Sequence, residues 1–316
     1  MSKRVVITGG TGFIGAALSR SLADAGYEVV ILSRKPKQHD GTGHGSIRIV
    51  DWDGCTVGDW AMELEGAFGV INLAGENLAA GRWSVEKKSR ILESRTNAGQ
   101  ALVKGIKQTA NKPKVLIQAS AIGFYGDQGD ELLDESANAG GGFLADVARQ
   151  WEASAQNMPS LGVRKVIVRF GVVLGDTGGM MRRILPVFRK CLGGPWGNGR
   201  QWLSWVHLSD VNGAMKFLLE KSDLEGCFNL SSPTPVQVKE FCRVLAEVLD
   251  RPAVFRVPAM VLRLALGDMA WELLLTGQRV MPKRLLEAGY EFQFELLSTA
   301  LQDLTNKPEQ VHKAKG

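Results

Sequence analysis

The sequence is poor in the residues that build disulfide frameworks and histidine-rich metal sites. Its 316 residues include only 4 cysteines and 4 histidines. The cysteines are far apart, without the paired spacing of a zinc site. We therefore expect free thiols, no bound metal and a cytoplasmic chain. The cysteines are Cys55, Cys191, Cys227 and Cys242.

Long uncharged apolar runs and long basic runs are also missing. No apolar signal segment is found near the N-terminus, and the most apolar late stretch, 258–278, contains Arg263, Asp268 and Glu272. We therefore expect no membrane span. The net charge of +5 is modest and dispersed. This charge favours a small anionic ligand over a nucleic acid as partner.

A glycine-rich turn near the start of the chain is the most informative motif. Val5–Ile7 is a short β-branched run typical of a buried strand, and a helix is predicted from Phe13 onward. Glycines let the turn approach a pyrophosphate, and the N–H groups of the helix N-terminus bind its oxygens. A plain βα turn also uses glycine, but here the next strand follows at the expected distance. The predicted cofactor-binding residues of this turn are Gly9, Thr11, Gly12, Phe13, Ile14 and Gly15.

The end of the second predicted strand indicates which dinucleotide binds. Ser33 and Arg34 stand where an NAD-binding chain usually has an acid for the ribose hydroxyls. A guanidinium and a hydroxyl suit the 2′-phosphate of NADP(H), although a solvated basic loop is the alternative. Asp51 and Trp52 follow the third strand, where we expect the adenine.

The exits of the later strands complete the predicted cofactor site. Small residues there allow the backbone to approach the ribose, the diphosphate and the nicotinamide. Arg90 and Arg95 on the following helix either face solvent or bind the phosphates. The strand-exit residues assigned to the cofactor are Leu73, Ala74, Gly75, Ala119, Ser120, Gly171 and Val172.

Several motifs together resemble one family. They are Thr8-Gly9-x-x-Gly12-x-x-Gly15, Asn72-Leu73-Ala74-Gly75, Ser120-Ala121-x-x-x-Tyr125-Gly126, Trp205-Val206-His207-x-x-Asp210 and Gly277-Gln278-Arg279-Val280-x-Pro282. The chain resembles atypical extended short-chain dehydrogenase/reductases of the YfcH-like epimerase family, with a C-terminal segment of the DUF1731 type.

The resemblance implies an α/β fold, a Rossmann-type doubly wound parallel sheet with a smaller α+β C-terminal substrate domain. Residues 1–175 would form the NADP-binding domain, to which segments around 200–230 return. Residues 176–316 would form mainly the substrate or lid domain, with helices over 258–305 and a frayed tail at 307–316.

The chain departs from the family at the acid/base pair. Active members use Tyr-x-x-x-Lys, in which the lysine lowers the pKa of the tyrosine. None of the three tyrosines here has a lysine four residues later, and Phe143 and Val147 occupy the expected positions. Ser120 and Tyr125 are the candidate replacements. Ser120 would orient the substrate, and Tyr125 either donates a proton or only packs beneath the loop.

The substrate side of the site is predicted from aromatic and polar residues near the strand exits. His207 is either a structural residue bonded to Asp210 or backbone, or a catalytic one. The full predicted set is Glu76, Trp83, Tyr125, Arg182, Trp202, Ser204, Trp205 and His207.

Two functions remain open from the sequence. One is an NADP-dependent oxidoreductase or epimerase, as monomer or homodimer, acting on a small substrate such as a nucleotide-sugar-like molecule. The other is a non-catalytic NADP(H)-binding sensor or regulatory protein with a division-related or partner-binding role, which the missing Tyr-x-x-x-Lys pair favours.

Overall fold

A computed structural model describes residues 3–36 and 45–306. The predicted tail at 307–316 lies outside the described residues. The strands are β1 (Arg4–Thr8), β2 (Glu28–Ser33), β3 (Ile47–Asp51), β4 (Gly69–Asn72), β5 (Val115–Ala121), β6 (Leu132–Leu133), β7 (Arg164–Phe170), β8 (Val172–Leu174), β9 (Trp202–Leu203), β10 (Trp205–His207), β11 (Gly226–Leu230), β12 (Val236–Gln237) and β13 (Arg279–Val280). The helices are α1 (Phe13–Asp24), α2 (Val85–Gln108), α3 (Phe143–Ala153), α4 (Met181–Arg189), α5 (Leu208–Glu220), α6 (Val238–Leu249), α7 (Ala259–Leu266), α8 (Asp268–Ala270), α9 (Lys283–Glu287) and α10 (Leu297–Asn306).

The centre of the fold is a seven-stranded parallel sheet. Its strand order is β11-β7-β5-β4-β1-β2-β3, with β1 pairing on one side to β2 and on the other to β4. After β3 the chain crosses back to β4 on the other side of β1, which is the topology of a Rossmann-type fold. The predicted fold class is confirmed. In such sheets ligands bind beyond the carboxyl ends of the strands, near the point of reversal.

Helices cover both faces of the sheet because its strands are apolar on both sides. Val5 and Ile7 of β1 pack with Leu18 and Leu22 of α1 on one face. Val6, between them, points to the other face and packs with Leu102 of α2. Each of these side chains is fully buried. Burial of such a side chain contributes about 1.5–3 kcal/mol, so this alternation fixes the register of β1.

The later elements form a second layer beside the carboxyl edge of the sheet. Helices α4, α6 and α10 share a core that includes Leu185, Phe241 and Leu301. Three short strand pairs, β8–β10, β9–β12 and β6–β13, connect this layer to the central part of the chain. Across the described ranges 3–36 and 45–306, no helix combines the length and apolarity that a membrane crossing demands.

Candidate functional site

The glycine turn after β1 has the geometry of a phosphate-binding loop. The N–H of Gly12 donates to the carbonyl of Gly9 at 3.0 Å, and Gly9 has a φ of +68°. A Cβ on Gly9 would lie 2.6 Å from the carbonyl oxygen of Leu73, and one on Gly15 would overlap the carbonyl of Gly9. Gly12 caps α1 without a side chain that could occupy the first N–H groups of the helix. These N–H groups are therefore available to an anion.

Phe13, at the start of α1, lies against a second glycine cluster. A Cβ on Gly175 or Gly178 would be 2.8 Å and 2.5 Å from atoms of its ring, and one on Gly179 would be 2.9 Å away. The segment after β8 therefore wraps around the ring and has no room for larger residues. This contact fixes the start of α1 from a distant part of the chain.

The proposed 2′-phosphate residues lie at the exit of β2. Arg34 is exposed, and Ser33 is buried with its hydroxyl accepting the N–H of Lys35 at 3.2 Å. Asp51, expected near the adenine, is exposed beside Ser33 in register. Trp52 is only 4% exposed and packs against another tryptophan of the core, so its ring offers the adenine little surface.

A buried hydrogen-bond chain holds the exit of β4. The Thr8 hydroxyl donates to Asn72 Oδ1 at 2.6 Å, and Asn72 Nδ2 donates to Gln118 Oε1 at 2.9 Å. The N–H of Ala74 also reaches Thr8 Oγ1 at 3.3 Å. Side chains of β1, β4 and β5 therefore fix the backbone of Leu73 to Gly75, where the sequence predicts cofactor contact.

Two predicted substrate residues after β4 have other partners. The Glu76 carboxylate is 2.7 Å from Lys87 Nζ and 4.0 Å from Arg90 Nε, and Lys87 lowers its pKa. Trp83 is 9% exposed and packs edge-on against Phe143. Arg90 itself is exposed on α2.

The two candidate catalytic side chains do not line the cleft. The Ser120 hydroxyl donates to Glu152 Oε1 at 2.6 Å, and Glu152 forms a bidentate ion pair with Arg169 at 2.8 and 3.0 Å. Tyr125 has no exposed surface. Alternation along β5 explains the placement of Ser120, because the next residue, Ala121, faces the cleft. The structure thus favours packing, the alternative reading of Tyr125.

The cleft itself lies beyond the exits of β5 and β7. It encloses about 210 Å³. Ala119 is buried beneath it, and the backbone of Gly171 and Val172 forms part of its wall. The other lining residues are Leu78, Arg95, Ala121, Ile122, Gly123, Leu144, Val147, Ala148, Trp151, Phe170, Trp196, Gln201, Trp202, Leu203, Ser204, Val238, Glu272, Leu273, Leu274, Thr276, Gly277 and Gln278.

The helix face that would present a Tyr-x-x-x-Lys pair is apolar. Val147 lines the cleft, while Phe143 packs against Trp83 outside it. Among the lining residues only Arg95 and Glu272 carry ionisable side chains. The Glu272 carboxylate accepts the N–H groups of Phe143 at 3.0 Å and Leu144 at 3.3 Å, and so caps α3 from the C-terminal segment.

Sequence reasoning missed Glu272 as a cleft residue. The sequence marks this residue only as a charge in the apolar stretch 258–278. An acid in such an apolar stretch is itself a signal, because a partly buried carboxylate needs a partner. The partner here, the N-terminus of α3, is distant in sequence and carries no signal of its own.

The aromatic segment around 202–207 is divided between the cleft and the core. Trp202 lines the cleft with its indole N–H donating to Asp130 at 2.6 Å, and Ser204 lines it too. The Ser204 hydroxyl donates to the Gln278 carbonyl at 2.7 Å, which ties β9 and β10 to the C-terminal segment. Trp205 is fully buried, its indole N–H donates to the Thr234 carbonyl, and its side chain lies in the core and not in the wall of the cleft.

His207 and Arg182 also lie outside the cleft. His207 Nδ1 accepts the N–H of Ser209 at 3.1 Å and caps α5, and its Nε2 is 3.3 Å from Asp303. The structural alternative for His207 is therefore favoured, with Ser209 and Asp303 as partners. Arg182 is exposed on α4 and does not line the cleft.

The chain is similar to known proteins over most of its length. Residues 5–231 match the NAD dependent epimerase/dehydratase family, and residues 257–304 match a domain of unknown function, DUF1731. The chain is 38% identical to the epimerase family protein YfhF of Bacillus subtilis over 303 residues, which cover 95% of this chain and 97% of YfhF.

Solved structures give the same assignment. The human epimerase family protein SDR39U1 (isoform 2) with NADPH superposes with a TM-score of 0.87 at 34% identity, over 95% of this chain and 98% of that one. A nucleoside-diphosphate sugar epimerase of Corynebacterium glutamicum superposes with a TM-score of 0.75 at 29% identity, over 96% of this chain and 58% of that one.

Proposed function

The chain belongs to the NAD dependent epimerase/dehydratase family, and from that premise we propose that it is an NADP(H)-dependent oxidoreductase or epimerase acting on a small molecule in the cleft. The proposal rests on the position of the cleft relative to the glycine turn. The cleft opens at the exits of β5 and β7, on the same edge of the parallel sheet as the glycine turn after β1. A dinucleotide bound across this edge reaches both places.

The residues present fit NADP(H). The uncapped N–H groups of α1 suit the diphosphate, and the exposed Arg34 beside Ser33 suits the 2′-phosphate. A homologous human structure was solved with NADPH. When bound, the cofactor supplies the hydride chemistry. Strand-exit residues Leu73 to Gly75 and Gly171 would hold its ribose and nicotinamide.

The chain's own residues bind and enclose the substrate. Trp151, Trp196 and Trp202 line the cleft with aliphatic side chains, so its interior excludes much of the water. Ser120 and Tyr125 have buried partners elsewhere, and Phe143 and Val147 cannot transfer protons. A proton transferred during turnover must therefore pass through another polar group of the cleft or through water.

The second candidate is a non-catalytic NADP(H)-binding protein. One observation favours it, namely the apolar surface of α3 at the position of the acid/base pair. Leu144, Val147, Ala148 and Trp151 present no titratable group to the cleft. Such a protein would bind the cofactor and a small molecule without catalysing a reaction. Binding of these ligands would change its interaction with a partner.

Absorbance measurements separate the two functions. Protein loaded with NADPH is mixed with a panel of small aldehydes, ketones and sugar nucleotides, and the nicotinamide absorbance is followed with a cofactor-only control. A substrate-dependent loss of reduced nicotinamide supports the oxidoreductase, and NMR of the products, which distinguishes epimers of equal mass, tests for net epimerisation. Tight NADPH binding with no turnover across the panel supports the non-catalytic protein.

A further inference from the structure

Arg95 is a buried cation in the wall of the cleft. Its side chain projects from α2, is 8% exposed and stacks over the ring of Trp151 at 4.9 Å. Nη1 donates to the carbonyl of Ile91 at 2.9 Å, and Nη2 donates to the carbonyl of Glu76 at 3.2 Å. These contacts orient the guanidinium. Among the residues that the structure describes, no acceptor contacts the remaining N–H donors of the guanidinium.

The charge of Arg95 has no carboxylate partner at ion-pair distance within the described ranges. The Glu76 carboxylate is engaged by Lys87, and that of Glu272 caps α3. Burial lowers the pKa of Arg95 to about 10, and the more distant charge of Glu76 offsets this only in part. A buried cation without a counterion is costly, so an anion that enters the cleft would relieve this cost.

The volume and the lining of the cleft limit the size and polarity of the anion that can bind. Its volume of about 210 Å³ is below the roughly 300–1,000 Å³ of sites for drug-sized ligands. Its walls are mainly aliphatic and aromatic. The second ionisable lining residue, Glu272, is an anion already bound to backbone N–H groups. A compact molecule with an apolar body and one acidic group satisfies all these conditions.

We propose that the cleft binds a small organic anion whose carboxylate is received by the Arg95 guanidinium. The inference rests on the proposed function, because it takes the cleft as the substrate site. A guanidinium binds the two oxygens of a carboxylate with parallel hydrogen bonds, which adds direction to charge.

The diphosphate of the cofactor is the other possible source of an oxyanion for Arg95. The Arg95 guanidinium lines the cleft and contacts α2, the backbone of Gly75 and Glu76, and Trp151 of α3. The phosphate-binding turn, from Gly9 to Gly15, lies after β1 and presents its own N–H groups. We therefore assign Arg95 to the substrate and the turn to the diphosphate, and the experiment separates the two.

The test compares benzoate with benzamide, which share shape and ring but differ in charge. Calorimetric titrations are made into full-length protein saturated with NADP⁺. In the wild type we expect benzoate to bind at least about tenfold more tightly, the equivalent of about 1.4 kcal/mol. Arg95→Gln should abolish the preference and leave NADP⁺ affinity within about twofold. Arg95→Lys should retain part of this preference, because the positive charge remains but the bidentate geometry of the guanidinium is lost.

The control is Arg149→Gln, which removes an exposed arginine of α3 that is paired with Asp146 away from the cleft. It should keep the full preference for benzoate. Melting temperatures show which variants are folded. If Arg95→Gln does not fold, the wild type and Arg95→Lys still test the proposal, because the lysine variant must lose part of the preference for benzoate over benzamide.

Two results would overturn the inference. Equal binding of benzoate and benzamide by the wild type would show that the cleft does not select an anion. Weakened NADP⁺ binding in Arg95→Gln, with no benzoate preference in the loaded wild type, would assign Arg95 to the cofactor diphosphate. A benzoate preference without turnover of any substrate would uphold the inference while contradicting the proposed enzyme.

Discussion

The hydroxyl of Tyr125 donates a hydrogen bond of 2.7 Å to Oδ1 of Asn229, which lies on the edge strand β11 of the central sheet. The same hydroxyl accepts a hydrogen bond from Arg169 at 3.0 Å. Arg169 in turn binds Glu152, which receives the hydroxyl of Ser120. These buried polar groups satisfy one another beneath the cleft, so their contribution is to position the exits of β5 and β7.

Tyr125→Phe should therefore reduce stability more than function. The substitution removes the hydroxyl that Arg169 Nη1 and Asn229 Oδ1 share, while Arg169 keeps its ion pair with Glu152. We expect a cost of about 1–3 kcal/mol in the free energy of unfolding. Burial also raises the pKa of Tyr125, which keeps the phenol protonated as a donor. Urea unfolding and NADPH titration measure the two effects. Unchanged stability together with reduced turnover would contradict the packing role.

Arg34→Ala should weaken NADPH binding and leave NADH binding almost unchanged. Loss of a charge-assisted contact to the 2′-phosphate costs about 1.5–3 kcal/mol, or roughly ten- to 150-fold in Kd. Fluorescence titration of both cofactors measures the change. Lys104→Ala, at an exposed position of α2, serves as the control for loss of one positive charge. Equal affinity of the wild type for NADPH and NADH would refute the assignment.

Glu272→Ala should loosen the N-terminus of α3. The variant loses the acceptors of the Phe143 and Leu144 N–H groups, and loss of a helix cap costs about 0.5–2 kcal/mol. Hydrogen exchange of peptides that begin at residue 143 should accelerate. Glu291→Ala, an exposed acid of the same C-terminal part, should leave this exchange unchanged. Unaltered protection in Glu272→Ala would show that the cap is dispensable.

Cys242 makes the stability of the protein depend on pH in the alkaline range. Burial raises the pKa of its thiol to about 12, against 9.0 for an ordinary thiol. The unfolded chain therefore releases this proton first, so the contribution of Cys242 to stability is complete below pH 9 and declines as the pH rises toward 12.

Cys242→Ala should remove this decline. The difference in unfolding free energy between wild type and variant should shrink by up to about 1.4 kcal/mol for each pH unit above 9. Urea unfolding at several pH values in the presence of a reductant measures it. A difference that stays constant between pH 8 and pH 10.5 would mean that the thiol does not titrate in this way.

The fold was predictable because its signals are local. Val5–Ile7 and the three glycines that follow specify a strand, a turn and a helix within a dozen residues, and each of these elements is present. The parallel sheet follows from such units in succession. The absence of a Tyr-x-x-x-Lys pair was also readable, since it needs only the spacing of tyrosines and lysines.

The membership of the cleft was harder to predict because it depends on direction and on distant contacts. Ser120 and Ala121 are neighbours, yet alternation along β5 turns only Ala121 toward the cleft. Trp202 and Trp205 share one aromatic segment, yet only Trp202 lines the cleft. Glu272 meets the start of α3, which lies 129 residues earlier in the sequence. No local pattern records which face a side chain takes or which remote helix end it caps.

The glycines that enclose the ring of Phe13 affect the stage of folding at which the protein can first bind its cofactor. They belong to residues 175–179, whereas the turn they support ends at Gly15. During synthesis the ribosome releases the N-terminal strand and helix long before this support exists. A nascent chain stopped before Gly175 would carry the glycine motif but would lack the residues that hold Phe13 in place. We therefore expect cofactor binding to begin late in folding.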